Sequence, residues 1–297
     1  MKSLITDIQR FSLNDGPGIR TTVFFKGCNM HCTWCHNPET LSFERDLLFY
    51  PNKCIHCGKC FGACPAHAHQ IVDGKHVINR SLCIRCGKCA EICYAQALTM
   101  SGKEMTVDEI MAEIRQDQPY YKTSGGGVTL SGGEVLCHVE FATEIARACK
   151  ADGIHVALET NLSQPLERIA PLLAEVDLVM ADCKLFNDSM HRKYTGISNE
   201  TVLESLKAIQ NIPMIVRTPL IPGVTDTEEN LRAIAAFLAG KANLKYYELL
   251  NFNPLGSAKY AGLDADNAFA DARPYSREQL EAFRTQLETI VSVKVGG

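Results

Sequence analysis

The chain is 297 residues long, which is enough for one large domain, or for one large domain with a small insert, around a substantial core. Its 46% hydrophobic and 22% charged residues are ordinary for a globular protein, and neither a stretch of bilayer length nor a secretory start is apparent. The formal charge of −4, without a basic stripe, disfavours nucleic acid, so we expect a cytoplasmic protein that binds neither nucleic acid nor membrane.

The cysteine distribution is the strongest compositional signal. Of 14 cysteines, 11 fall in three tight clusters within an otherwise well-filled sequence. A reducing compartment disfavours disulfides, and a chain of this size does not need them as staples. We therefore interpret the clustered cysteines as metal ligands.

A predicted strand at residues 22–25 leads into the first cluster, in which Cys28, Cys32 and Cys35 are separated by three and two residues. A cubane 4Fe-4S cluster takes four ligands, so three cysteines leave one iron open to bind and activate a substrate. A zinc knuckle is disfavoured because no fourth ligand follows at finger spacing. The loop therefore predicts a 4Fe-4S cluster with one open position.

Residues 51–100 contain an internal repeat. One half reads Cys-Ile-His-Cys-Gly-Lys-Cys-Phe-Gly-Ala-Cys-Pro from Cys54, and the other reads Cys-Ile-Arg-Cys-Gly-Lys-Cys-Ala-Glu-Ile-Cys-Tyr from Cys83. This is the spacing of bacterial ferredoxins, in which the fourth cysteine of each run ligates the other cluster. We therefore predict two more 4Fe-4S clusters, one on Cys54, Cys57, Cys60 and Cys93 and the other on Cys83, Cys86, Cys89 and Cys64.

The role of these two clusters stays open at this point. They either stabilise a segment too small to bury its own core or relay electrons. Four cysteine ligands at each cluster are compatible with either role. Tyr94 stands where a proline usually follows the fourth cysteine, which affects loop shape rather than ligation. The remaining thiols, Cys137, Cys149 and Cys183, have no ligand spacing and are expected to pack in the core.

After the repeat, the chain alternates helical patterns with short β-branched runs. A capping box at Thr106 and Glu109 precedes apolar residues at helical spacing, so a helix is predicted to begin there. Strands are predicted at 128–130, 154–158, 178–181, 214–216 and 246–250, and helices near 140–151, 165–174, 200–210, 228–239 and 276–290. Residues 5–11 and 291–295 are candidate edge strands. The alternation predicts an α/β fold with a parallel sheet and right-handed crossovers.

Polar or glycine-rich residues follow the predicted strands, where β/α barrels place their chemistry. They are the Cys28 loop, residues 131–134, residues 159–161, residues 182–184, Arg217 and residues 251–253. Gly132 and Gly133 allow close approach of the backbone to a ligand, and Glu134 offers a carboxylate to an ammonium group. A phosphate-binding loop is disfavoured because no Gly-Lys-Ser/Thr follows.

The cysteine loop, with aromatic Trp34 before its last cysteine, resembles the signature of the radical S-adenosylmethionine (SAM) superfamily. The flanking Asp15-Gly16-Pro17-Gly18-Ile19-Arg20 and His36-Asn37-Pro38-Glu39 narrow this resemblance to the glycyl radical enzyme activating enzymes, typified by pyruvate formate-lyase activating enzyme. It implies a partial (β/α)6 TIM-like barrel over residues 1–50 and 101–297. A bacterial ferredoxin-like domain is then inserted at residues 51–100.

The resemblance also implies an activity. One electron, supplied by a flavodoxin or ferredoxin, enters the open cluster and reductively cleaves SAM to methionine and a 5′-deoxyadenosyl radical. That radical takes hydrogen from a backbone glycine of a partner glycyl radical enzyme. The three cofactor clusters and SAM carry the hard chemistry, while the protein orients the reactants and excludes water.

Site residues follow from the same resemblance. The Gly132-Gly133-Glu134 segment is expected to bind the amino group of SAM, and Lys184 its carboxylate. Glu159 is expected beside SAM or a monovalent cation. The remaining expected cofactor contacts are Trp34, His36, Asp182, Cys183 and Asn253. For each charged residue taken alone, the competing interpretation is a solvated ion pair.

One position departs from the family pattern. Many relatives carry a histidine where this chain has Asn253, which can hydrogen-bond a ribose but cannot carry a proton. Two alternatives remain, a radical SAM enzyme acting on a small molecule or ribosomal peptide, and a ferredoxin-like electron carrier without catalysis. The insert favours a lyase, decarboxylase or dehydratase as the partner, without saying which one.

Overall fold

The computed structural model describes residues 1–296. Its strands are, in chain order, β1 (Lys2–Ser12), β2 (Arg20–Phe25), β3 (Asp46–Phe49), β4 (His69–Val72), β5 (Lys75–Ile78), β6 (Leu98–Ser101), β7 (Lys103–Thr106), β8 (Gly127–Gly132), β9 (His155–Thr160), β10 (Leu178–Asp182), β11 (Met214–Pro219), β12 (Leu244–Leu250) and β13 (Val293–Gly296). Its helices are α1 (Lys59–Ala63), α2 (Lys88–Glu91), α3 (Val107–Arg115), α4 (Gln118–Ser124), α5 (Val139–Ala151), α6 (Leu166–Leu173), α7 (Asp188–Thr195), α8 (Glu200–Ala208), α9 (Glu228–Leu238), α10 (Ser257–Gly262) and α11 (Arg277–Leu287).

Nine strands form one sheet in the order β13-β12-β11-β10-β9-β8-β2-β1-β7. Seven of these strands, β2 and β8 to β13, pair in parallel with one another; the first six are the predicted β/α strands, which confirms the predicted α/β architecture. The second expected edge strand, β13, lies at the edge. The first, β1, does not, because it pairs antiparallel with β2 on one side and with β7 on the other.

The helices cover the outer face of this sheet. Thr106 and Glu109 form the predicted capping box, each side chain bonding the other residue's backbone N–H, so α3 begins where the sequence indicates. In α5, Phe141, Ile145 and Cys149 are buried, and truncating Ile145 to alanine is expected to cost about 2–5 kcal/mol of stability. The short helix α7 was not predicted. Its residues are mostly polar and only a narrow face is buried, so the sequence shows no apolar helical pattern there.

The insert is built around its cysteines. Its core combines apolar residues such as Leu47, Phe49, Ile78 and Leu98 with the buried thiols of Cys64 and Cys89. Strand β3 pairs with β6, and β4 with β5. The compact unit therefore includes residues 46–49, just before the predicted boundary at residue 51.

The two halves of the repeat share their backbone geometry. Gly58 and Gly87 precede α1 and α2 with φ of 71° and 82°, a left-handed conformation that favours glycine. His67 and Gln96 also match, with φ of 49° and 50°. The duplication seen in the sequence is thus a duplication of structure.

Lys26 joins the insert to the barrel. Its side chain is completely buried, and its ammonium lies 2.9 Å from the carboxylate of Asp46 and also bonds the carbonyl of Glu39. The hydroxyl of Ser101 donates to the same carbonyl at 3.1 Å. A buried ammonium without these acceptors would be costly, so this contact fixes the insert against the cysteine loop.

Within residues 1–296, no helix combines the length and apolar character needed to cross a membrane.

Candidate active site

A cavity of about 1100 Å³ opens at the carboxyl ends of the parallel strands. It is lined by residues from six separate strand ends, as the sequence predicts for a β/α barrel. Its lining includes Cys28, Cys32, Cys35, Trp34, His36, Gly132, Gly133, Glu134, Glu159, Asp182, Lys184 and Asn253. The structure therefore brings all but one of the predicted SAM-site residues into one cavity.

The cysteine loop is held by backbone bonds at both of its ends. The N–H of Gly27 donates to the carbonyl of Thr40 at 2.7 Å, and that of Cys28 to Leu41 at 3.2 Å. Further along, the N–H of His31 donates to Thr195 at 2.8 Å, at the end of α7. These bonds fix an irregular loop whose three cysteines all line the same cavity.

The three thiols have the chemistry of metal ligands. Burial and the neighbouring Cys32 thiol raise the pKa of Cys35 to about 12, and burial likewise raises the pKa values of Cys28 and Cys32. Such thiols do not ionise on their own near neutral pH, whereas a bound metal stabilises the thiolate form directly. Three convergent, water-poor thiols fit a 4Fe-4S cluster with one open iron.

Lys184 and Asp182 form an ion pair beside this loop. The side chain of Lys184 is 12% exposed. Although burial lowers its pKa, the carboxylate of Asp182 and the nearby thiol of Cys32 raise it overall, so the amine carries its proton. The ammonium therefore faces both the metal-binding loop and the cavity, where it can meet a ligand carboxylate.

Gly132 and Gly133 are required by close packing. A Cβ on Gly132 would lie 2.2 Å from the backbone nitrogen of Phe25, and one on Gly133 would lie 2.4 Å from the carbonyl oxygen of Gly27. The N–H of Gly133 donates to Phe25 at 2.8 Å and that of Glu134 to Gly27 at 2.9 Å. The segment thus braces the start of the cysteine loop as well as lining the cavity.

Glu134 has a structural role that the sequence did not reveal. Its carboxylate accepts bonds from the hydroxyl of Thr160 at 2.6 Å, the N–H of Asn161 at 2.8 Å and the N–H of Leu136 at 2.9 Å. Burial raises its pKa to about 7 despite these donors. The carboxylate joins two strand ends, and its contact with an ammonium group stays a prediction.

Glu159 belongs to an ion-pair layer across the barrel interior. Its carboxylate accepts from the guanidinium of Arg217 at 2.8 Å and from the hydroxyl of Ser131 at 2.6 Å. Arg217 also donates to Glu248 at 2.7 Å. Each oxygen of Glu159 thus has a protein partner, which spacing along the chain could not show.

The side chain of Cys183 packs in the main core, as predicted for a thiol without ligand spacing, because neighbouring residues of an extended segment point to opposite faces. Unlike the other expected cofactor contacts, it does not line the cavity. Arg20, the last residue of the motif before β2, does not line the cavity: it is completely buried and donates to the carbonyls of Val128 and Pro17. Both acceptors lie at the opposite, amino-terminal end of the strands, so Arg20 closes the base of the barrel.

Two residues make polar contacts in the site that were not predicted. Asn161 donates to Asn29 at 3.2 Å, which links the end of β9 to the cysteine loop. Lys259 donates to Asn37 and Glu39, both at 2.6 Å, and holds the segment after the third cysteine. The only sequence signal was the position of Asn161 after a predicted strand, since Lys259 lies far away along the chain.

The insert contains a second cavity, of about 400 Å³. Its lining includes Cys54, Cys57, Cys60 and Cys93, the four residues predicted to share one cluster. The other predicted set is also near in space, since the thiols of Cys83, Cys64 and Cys86 all contribute to raising the pKa of Cys89 to about 11, after burial. Each set of four fits a 4Fe-4S cluster.

Comparison with known proteins gives consistent results. A sequence model of the Radical SAM superfamily matches residues 22–235. The benzylsuccinate synthase activating enzyme of Thauera aromatica is 41% identical over 270 residues, covering 88% of this chain and 81% of that protein. The trans-4-hydroxy-L-proline dehydratase activating enzyme of Clostridioides difficile is 37% identical over 306 residues, covering 100% of each.

Among solved structures, Streptococcus suis SuiB bound to precursor peptide SuiA aligns with 91% of this chain and 46% of its own. The TM-score is 0.56 at 10% sequence identity, a likeness of fold alone.

Proposed function

This chain belongs to the glycyl radical enzyme activating enzymes of the radical SAM superfamily, and we propose that it installs a glycyl radical in a partner enzyme. It is an oxidoreductase that uses a 4Fe-4S cluster and SAM to take a hydrogen atom from a backbone glycine. The observation that carries this proposal is the convergence of the three-cysteine loop and the Lys184–Asp182 pair on one cavity.

When bound, the cluster and SAM supply the one-electron chemistry that removes hydrogen from an unactivated carbon. The protein's own contribution is placement. We assign Cys28, Cys32 and Cys35 as the cluster ligands, with Lys184 neutralising the carboxylate of SAM. The backbone of Gly132 and Gly133 borders the position of its amino group.

The other lining residues shape the pocket. Trp34 is 9% exposed and packs against Leu185 and Phe252, which gives the loop a rigid apolar support. His36 and Asn253 stand at the rim as candidate contacts for the nucleoside. A monovalent cation, where one binds, has to share the carboxylate of Glu159 with Arg217.

We propose that residues 51–100 form a ferredoxin-like domain holding two further 4Fe-4S clusters. The support is the grouping of eight thiols into two sets of four and the shortage of other apolar residues in the core of the insert. The segment carries electrons from a flavodoxin or ferredoxin toward the active site. The insert abuts that site, because Tyr50, Met100 and Ser101 line the larger cavity.

The partner is a glycyl radical enzyme whose identity the site does not specify. The named relatives activate a synthase and a dehydratase, so the same scaffold serves different partners. Candidate partners are best tested as a panel, with a lyase, a decarboxylase and a dehydratase each represented.

The experiment is anaerobic incubation of the reconstituted chain with reductant, SAM and each partner. We expect a glycyl doublet in the electron paramagnetic resonance (EPR) spectrum, with deoxyadenosine formed in step. The Cys28→Ala, Cys32→Ala, Cys35→Ala variant is the control and should give neither product. Deoxyadenosine without a glycyl radical in any partner would reject glycine as the substrate and favour a small molecule or peptide.

A further inference from the structure

Two histidines lie against the first set of insert cysteines, and the function described above does not use them. His69 and His76 are 6% and 7% exposed, and His69 Nδ1 lies 2.9 Å from His76 Nε2. His76 Nδ1 lies 3.9 Å from the sulfur of Cys54, and His76 Nε2 lies 4.0 Å from that of Cys60. Buried polar groups of this kind need partners, and here the histidines and the cysteines supply them to each other.

The duplication shows that the pair is specific to one half. His69 lies five residues after Cys64, and Leu98 lies five residues after Cys93. In the strand pairs, Ile78 opposes His69 and Phe49 opposes Leu98. His76 lies two residues before Ile78, and Leu47 lies two residues before Phe49. Leu98 and Leu47 therefore match His69 and His76, so the other half has leucine at both positions.

The contacts select one arrangement of protons. A cysteine that ligates iron is a thiolate and has no proton to donate. When His69 Nδ1–H donates to His76 Nε2, the proton of His76 lies on Nδ1, facing the sulfur of Cys54. In the reverse arrangement, an unprotonated nitrogen would face a thiolate. Only the first arrangement therefore gives a donor both to the 2.9 Å contact between the histidines and to the contact of His76 with Cys54, while Nε2, at 4.0 Å from the sulfur of Cys60, acts as the acceptor for His69.

We propose that His76, oriented by His69, donates a hydrogen bond to the Cys54 thiolate and raises the reduction potential of the first insert cluster above that of the second. Reduction adds one electron to a cluster, and an N–H donor stabilises the negative charge that this electron brings to the sulfurs. His76 is thus a residue that sets a potential, while Cys54 remains the ligand. This inference rests on the proposed pair of insert clusters.

The asymmetry gives the electron a preferred resting place within the insert. Residues of β3 and β6 line the active-site cavity, whereas among the described residues none from β4 or β5 does. The histidine pair thus lies on the strands away from that cavity. Because the cluster of higher potential is reduced first, a single electron taken up by the insert rests on the first cluster until the active site consumes it.

The test is an EPR-monitored redox titration of the holoprotein with dithionite. The variants are His76→Leu and His69→Leu, because leucine stands at both matched positions of the other half. We expect one of the three midpoint potentials to fall in each. We expect the equilibrium constant for reduction of this cluster to fall about tenfold, which lowers its midpoint potential by about 59 mV for one electron. His69→Asn, whose amide can still donate to His76, should keep the wild-type potential.

His67→Gln is the matched control. His67 is exposed in the same loop, and Gln96 has the same backbone conformation in the other half, so no potential should change. Unchanged potentials in His76→Leu, or equal shifts of all three, would overturn the inference. A zinc ion found on Cys60, His69 and His76, whose ligand atoms lie within 4.8 Å of one another, would overturn it too.

Iron analysis separates this outcome from failure of the proposed function. A chain holding about twelve irons carries both insert clusters, so constant potentials then reject only the role of the histidines. A chain holding about four irons rejects the insert clusters, and with them the basis of the inference.

Discussion

The ammonium of Lys184 is bonded to the carboxylate of Asp182, two residues earlier at the end of β10. The two side chains share one face of the extended backbone, which directs both into the active-site cavity and leaves Cys183 in the core. A ligand carboxylate can therefore approach an ammonium whose position is already fixed.

Replacing Lys184 with methionine should weaken SAM binding while leaving the cluster in place. The lost charge-assisted bond is worth about 1.5–3 kcal/mol, or roughly 10- to 100-fold in affinity. Anaerobic equilibrium binding of SAM measures the effect, and iron content checks the cluster. Lys150→Met, which removes an exposed ion pair with Asp177, is the control. Equal SAM affinity in both variants would contradict the assignment.

Replacing Cys28, Cys32 and Cys35 together with alanine should remove about one third of the iron and all SAM cleavage. The reason is that, in the proposed assignment, eleven ligand cysteines divide as three, four and four among three clusters, which together would hold about twelve irons. Iron analysis and deoxyadenosine formation measure the two losses. Persistent cleavage would show that the open cluster lies elsewhere.

Replacing Cys57 and Cys86 with alanine disrupts one ligand of each proposed insert cluster. Because the SAM-site cysteines lie on a separate loop, SAM binding should be retained and activation of the partner should be slower. The rate of glycyl radical formation is the measurement, with SAM affinity as its control. A wild-type rate would favour a purely structural role for the insert.

Replacing Arg10 with methionine should destabilise the barrel in a pH-dependent way. The carboxylate of Asp117 is fully buried and receives bonds from Arg10 at 3.0 Å and Thr21 at 2.7 Å. Burial alone would raise its pKa, but these bonds outweigh burial and lower it. The pKa of a carboxyl group in the unfolded chain is about 4. The native pair therefore stabilises the fold above this pH, and this stabilisation is lost as the pH falls through the lower pKa of the native state.

Without Arg10, burial raises the pKa of Asp117, and at neutral pH the carboxylate is buried without its cation. We expect a lower melting temperature at pH 7, by less than the loss of a fully buried ion pair would cause, because Arg10 is 35% exposed. Thermal unfolding at pH 7 and pH 5 measures it. The deficit should be smaller at pH 5, where the carboxyl group can take up a proton. An equal deficit at both values would exclude this explanation.

SAM should strengthen binding of the partner's glycine loop. That loop has to leave its own fold and become ordered in the cavity, so its affinity is modest, and SAM completes the floor of the cavity. Coupling of this kind is reciprocal. Anaerobic titration of a glycine-loop peptide with and without SAM measures it, and equal affinities would contradict a shared cavity.

Local signals in the sequence were sufficient for much of the fold. Hydrophobic periodicity predicts the six parallel strands, the capping box predicts the start of α3, and the cysteine spacing predicts the duplicated insert. All three signals act over a few residues. The sequence predicted an edge strand at residues 5–11, whereas β7 pairs with β1 on its outer side. This pairing was missed because β7 is short and lies about a hundred residues away. Strand order depends on such distant pairings, which propensity does not encode.

The sequence by itself determined the chemistry of the site. Three cysteines on one loop, two glycines at the end of β8 and polar residues at strand ends specify which groups are present, because cluster ligation and close packing require those residue types. Only the tertiary structure decided what each charged group does. The carboxylate of Glu134 accepts hydrogen bonds from Thr160 and Asn161, and that of Glu159 pairs with Arg217. These partners come from other strands. Arg20 is buried at the base of the barrel for the same reason: the partners of a charged side chain are chosen by proximity in space, which appears only once the sheet has formed.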